Sequence, residues 1–161
     1  MLVVDQSGSM VSSVIHAAVT AACLWGLPGM RTHLVAFDTA VVDLTRDTSD
    51  PVELLMKVQL GGGTDIQKAV GYAAGLLEAP RRSIVVIISD FYEGGPQGML
   101  LQRVRALCEQ GTHVLGLAAL DEQARPDFNR DLAQQLVNAG AHVAAMTPGA
   151  LAGWIAEKVR G

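Results

Sequence analysis

The run Ser83-Ile84-Val85-Val86-Ile87-Ile88-Ser89 is apolar at every interior position and lacks the polar alternation of a strand with one wet face. Such a strand has to be covered on both sides, and a parallel sheet between two layers of helices does this. It ends on Asp90, so a carboxylate stands at the carboxyl end of the most buried strand. Half of the 161 residues are apolar and only 4% are aromatic, so the core has to be assembled from Val, Leu, Ile and Ala.

The rest of the chain fits this frame. Strands are predicted at residues 2–5, 33–37, 41–44, 83–89, 113–119 and 142–145, and helices at 12–27, 65–78, 97–110, 129–139 and 149–160. A short extra helix over 51–58 opens on Asp50 as N-cap with Pro51 in the first helical position. Residues 33–44 read as two strands joined by a tight turn at Asp38-Thr39-Ala40, so one of them runs antiparallel. The result is an α/β fold with an open, doubly wound sheet, one antiparallel strand at an edge, and helices on both faces. In such sheets ligands bind beyond the carboxyl ends of the strands, where the strand order reverses. Asp5 and Asp90 both stand at strand carboxyl ends.

A net charge of −4 with scattered basic residues gives no electrostatic reason to expect nucleic acid. Cys23 and Cys108 fall in apolar helical stretches without any zinc-ligand spacing, and read as buried free thiols. Met1 leads straight into Leu2-Val3-Val4-Asp5 without a basic segment or cleavage pattern. The longest apolar run, residues 14–30, contains His16 and Thr20, is broken by Pro28, and reads as a deeply buried helix rather than a membrane span. The expectation is a soluble cytoplasmic protein that engages no membrane. Residues 1–161 read as one domain. The short lead-in before Asp5 also fits a fragment, a domain cut from a longer polypeptide, or a start assigned late.

Three segments carry chemistry. Asp5-Gln6-Ser7-Gly8-Ser9 places a carboxylate and two hydroxyls on a single strand-to-helix turn, with Gly8 allowing the backbone to turn sharply. A carboxylate with neutral hydroxyls is hard-oxygen chemistry suited to Mg²⁺ or Mn²⁺, and less specifically to Ca²⁺. Taken alone, Ser7 or Ser9 could equally cap the first helix. Gly61-Gly62-Gly63-Thr64-Asp65 runs into a helix with a hydroxyl at the boundary, where Thr64 or Asp65 could be an N-cap. It lacks the lysine of a phosphate-binding loop. Asp90, within Ser89-Asp90-Phe91-Tyr92-Glu93-Gly94-Gly95, could be a plain turn residue.

Together these segments resemble the von Willebrand factor A (VWA) domain, whose metal-ion-dependent adhesion site combines D-x-S-x-S, a distant Thr and a later Asp. The match is Asp5, Ser7 and Ser9, then Thr64, then Asp90, in the family's order and on its elements. The resemblance implies a six-stranded sheet in the order 3-2-1-4-5-6 with strand 3 antiparallel. It also implies direct metal ligation by Ser7 and Ser9, with Asp5 and Asp90 bound directly or through water and Thr64 switching between those modes. A vacant position is left for an Asp or Glu of a protein partner. The Ser-Asp-Phe-Tyr-Glu-Gly-Gly stretch looks like the bacterial CoxE-like branch, which is associated with MoxR-type AAA+ ATPases in assembly or metal insertion.

The function expected is therefore metal-dependent protein binding without catalysis. The competing reading is a Mg²⁺-dependent phosphatase or phosphotransferase with Asp5 as nucleophile. The haloacid-dehalogenase type needs a second Asp two positions on, and Ser7 there cannot transfer the proton near neutral pH. Asp65 and Glu93 read as acids at helix N-termini that could also add charge around the site, Asp38 as a turn residue that shares the rim if its strand is parallel to the first, and His33, His113 and His142 as strand-start residues away from the site. Leu151, Ile155 and Val159 are predicted to form one apolar stripe against the sheet.

Overall fold

A computed structural model describes residues 1–46, 50–58, 61–121 and 123–160. The strands are β1 (Leu2–Asp5), β2 (Leu34–Phe37), β3 (Val41–Asp43), β4 (Ile84–Ser89), β5 (His113–Ala118) and β6 (His142–Ala144). The helices are α1 (Val14–Trp25), α2 (Pro51–Lys57), α3 (Ile66–Leu76), α4 (Gln97–Glu109), α5 (Arg130–Asn138) and α6 (Pro148–Arg160), with a 3₁₀ turn, Gly8–Ser13, leading into α1. The six strands form one sheet in the order β3-β2-β1-β4-β5-β6. Only the β2–β3 pair is antiparallel. The predicted order and the antiparallel edge are both present.

Each element forms for a local reason. β4 is buried at all six positions, as its unbroken apolar run requires. Asp50 caps α2, its Oδ1 accepting from the Val52 N–H at 2.8 Å, a bond of about 1 kcal/mol in comparable helices. Asn129 caps α5 in the same way through the Leu132 N–H. One face of the sheet, with Val4, Ala36, Ile88 and Leu117, is covered by Ala17, Ala18 and Ala21 of α1, Leu55 of α2, and Leu151 and Ile155 of α6. The other face, with Val3, Val85, Ile87 and Val114, is covered by Val70 of α3, Val104 of α4, and Leu132 and Leu136 of α5.

Three expectations are corrected. Helix α1 is not deeply buried: its inner side is packed, but Ile15 and Val19 are 61% and 42% exposed. The segment Gly8–Trp25 is long and apolar enough to cross a membrane by length and composition. In this fold its Ala-rich inner side instead lies on the sheet. Cys23 is exposed and Cys108 only half-buried. Cys23 follows Ile15 and Val19 at intervals of four on the exposed side of α1, which no described element covers. Val159 is 62% exposed, although Leu151 and Ile155 are buried. A residue four positions on is rotated by about 40° in an α-helix, so by the second step the stripe has turned away from the sheet.

Candidate metal centre

β1 and β4 lie side by side at the centre of the sheet, and the chain leaves them in opposite directions. Asp5 ends β1 next to Ser89 and Asp90 at the end of β4. The carboxylate Oδ2 of Asp5 accepts from the Ser89 hydroxyl at 2.7 Å, and its Oδ1 accepts from the Ser7 N–H at 2.8 Å. The Ser89 oxygen accepts in turn from the Phe91 N–H at 2.9 Å. One buried hydroxyl therefore joins the first carboxylate to the loop of the second. In the sequence Ser89 reads as a strand end and as part of the family-like stretch, without a role at the site. The available signal was a polar residue closing an otherwise wholly apolar strand.

The hydroxyls of the D-x-S-x-S turn are not used as helix caps. Ser7 precedes the 3₁₀ turn and Ser13 precedes α1, and neither makes a side-chain cap bond. Ser7 Oγ and Ser9 Oγ lie 3.3 Å apart, with Ser7 buried and Ser9 exposed. Two hydroxyls turned toward each other beside a carboxylate make an oxygen donor set, whereas a capping hydroxyl is directed at backbone N–H groups. Gly8 has an ordinary φ rather than the sharp-turn conformation expected, and its N–H donates to Gly62 O at 2.9 Å.

That bond joins the first loop to the second. Gly61 N–H also donates to Gln6 O, and Asp65 N–H to Asp38 O. The cap of α3 is Asp65, whose side chain accepts from the Lys68 N–H, so Thr64 is not the cap and stands half-buried. Asp38 is the expected turn residue, Oδ1 accepting from the Ala40 N–H, but it also lies on this rim, with Oδ2 accepting from the Gly62 N–H at 3.1 Å. Asp90 Oδ1 accepts from the Tyr92 N–H at 3.2 Å. The structure thus brings the loops bearing all five predicted residues to one end of the sheet. His33, His113 and His142 are at the starts of their strands, at the other end.

Electrostatics at this point favour a cation. Asp5 and Asp90 are 1% and 4% exposed, and neither forms an ion pair with a described residue. Burial, assisted by the nearby charge of Asp90, pushes the Asp5 carboxyl up to about 6 despite the hydrogen bonds from Ser7 and Ser89. Among the described residues no three His, Cys, Asp or Glu side chains gather in a group able to hold a metal. A metal held here has to take hydroxyls alongside Asp5 and Asp90, which is the chemistry of a hard divalent ion. The Gln6 side-chain nitrogen is the one buried polar side-chain atom without a hydrogen-bond partner among the described residues, and it lies inside the same turn.

Phe91 anchors the loop that carries Asp90. It adopts φ 59°, a left-handed conformation that a bulky residue holds only when its surroundings enforce it. Its ring is fully buried. A Cβ placed on Gly116 of β5 would come within 2.8 Å of the ring tip. Gly116 was not singled out from the sequence, although a glycine inside a strand marks the close approach of another group.

A doubly wound sheet in this order, with these three loops at its carboxyl end, defines a VWA-type domain. The chain belongs to the family of VWA domain containing CoxE-like proteins, whose model matches residues 1–155. It is similar to the uncharacterized protein YehP of Escherichia coli (strain K12), 63% identical over 160 residues and covering 99% of this chain. The chain spans 42% of the length of that relative. Among solved structures, a von Willebrand factor type A protein from Catenulispora acidiphila superposes with a TM-score of 0.71 at 17% identity, covering 98% of this chain and 41% of that one. An aerotolerance-related membrane protein from Bacteroides fragilis superposes equally well, at 0.71 and 15% identity, covering 99% and 97%. At these identities the likeness shows the fold.

Proposed function

We propose that this domain holds a divalent cation, Mg²⁺ in the cell, through Asp5, Ser7, Ser9, Thr64 and Asp90, and presents it to a carboxylate of a protein partner. The observation that carries this reading is the unspent donor set. Two serine hydroxyls that cap nothing stand beside a buried carboxylate that no described side chain neutralises. Two carboxylates roughly balance a divalent charge, and neutral hydroxyls leave the ion electrophilic, so an outside Asp or Glu gains most by completing its shell. Such an ion promotes recognition without any bond being made or broken, and the domain is read as a non-catalytic binding module. VWA-type domains are protein-interaction modules in general, and membership of the CoxE-like family supports an adaptor role. The partner proposed is a AAA+ ATPase of the MoxR type, met in the cytoplasm.

The test is capture from the native host by immobilised domain, in Mg²⁺ and in chelator. Retention of an ATPase in Mg²⁺, lost in chelator and in Asp90→Ala, supports the adaptor reading. Identical capture under all conditions contradicts it. Hydrolysis of a generic phosphoester in Mg²⁺, abolished in Asp5→Asn, would replace it with the phosphatase.

A further inference from the structure

Glu93 lies three residues beyond Asp90, yet its side chain serves a different element. Oε1 accepts from the Ile66 N–H at 3.0 Å and Oε2 from the Gln67 N–H at 2.9 Å. These are the first two amides of α3, which have no partner within the helix. The helix's own cap, Asp65, is engaged by Lys68. Gly95 N–H returns to Oε1 at 3.1 Å, fixing the carboxylate from behind. Beside it, Gly94 N–H donates to Thr64 O at 2.9 Å. The two backbone segments are so close there that a Cβ on Gly94 would lie 2.8 Å from that oxygen.

Both carboxylate oxygens are therefore occupied by amides, which leaves Glu93 poorly placed to serve as a ligand. It joins the Asp90 loop to the start of α3, two residues after Thr64. The other ties on the Thr64 loop run to the Asp5 turn and to Asp38, on the far side. Without Glu93, the link between the Thr64 and Asp90 loops is reduced, among the described residues, to the backbone bond at Gly94.

We infer that Glu93 is a positioning residue for the metal centre, holding Thr64 in register with Asp90. The inference rests on the metal-site reading above. It is tested with Mn²⁺ as probe, by calorimetric titration of the wild-type chain, Glu93→Gln, Thr64→Ala and the double variant. Glutamine retains the shape but offers only one acceptor, so one α3 amide loses its partner. Glu93→Gln is expected to weaken Mn²⁺ binding about tenfold or more, the usual effect of losing a residue that orients a ligand. The double variant is expected to bind no more weakly than Thr64→Ala alone, because Glu93 acts through Thr64. Amide exchange at Ile66 and Gln67 should rise in Glu93→Gln before any metal is added. Gly94→Ala, which strikes the same junction from its neighbour, should reproduce the Mn²⁺ defect if Glu93→Gln fails to fold.

Wild-type affinity in folded Glu93→Gln, or in Gly94→Ala where that variant stands in, would overturn the inference. So would losses in Glu93→Gln and Thr64→Ala that simply multiply in the double variant. Absence of Mn²⁺ binding by the wild-type chain would instead remove the metal site itself, and the role of Glu93 with it.

Discussion

Asp5 concentrates the chemistry of the site in one side chain. It is buried and doubly hydrogen-bonded, and its carboxyl is raised to about 6 chiefly by burial. A raised carboxyl means that the folded chain holds the proton more tightly than the unfolded one. The associated stability is fully present below about pH 4 and is lost as the pH rises through about 6. Without metal, the wild-type chain should lose about 1–3 kcal/mol of stability relative to Asp5→Asn between pH 4 and 7. Urea unfolding of both proteins across that range measures the difference. Parallel pH profiles would mean that Asp5 ionises as it does in water. At this scale the D-x-S-x-S turn was legible because its types and spacing persist in one dimension, and Thr64 and Asp90 joined it only through the family resemblance. Ser89 was not legible, since its bond to Asp5 spans 84 positions and depends on strand register.

At the level of elements, apolar patterning, with the Asp50–Pro51 cap for α2, located the strands and α-helices of the described residues, but it did not show how far each would be covered. α1 reads as apolar apart from His16 and Thr20, and only packing separates its inner Ala17, Ala18 and Ala21 from the exposed Ile15 and Val19. The Leu151–Ile155–Val159 stripe fails at its last member for the same rotational reason. Gly116 shows how one element constrains another. β5 must leave room for Phe91, which holds the Asp90 loop in its left-handed turn. Gly116→Ala should therefore cost about 1–3 kcal/mol by overpacking. The Asp90 loop should be displaced along with the ring. Urea denaturation gives the first, and the chemical shifts of Asp90 and Tyr92 report the second. A neutral substitution would show that the ring yields without moving the loop.

In the whole molecule, the mostly parallel sheet brings three loops that lie apart in sequence to one end between two apolar cores. The unbroken apolar β4 already required helices on both faces, and the strand order implied by the family resemblance put the carboxyl ends of β1 and β4 side by side. The backbone and carboxylate ties among the loops could not be read beforehand, because they are set by tertiary approach rather than by residue type. Whether these loops hold a metal decides what the domain does. Calorimetric titration of Mg²⁺ into the wild-type chain, Asp5→Ala and Asp90→Ala, with folding of each verified by circular dichroism, asks this directly. The prediction is one site in the wild-type chain, weakened at least about tenfold in both variants. No binding by the wild-type chain, or equal affinity in all three proteins, would contradict it.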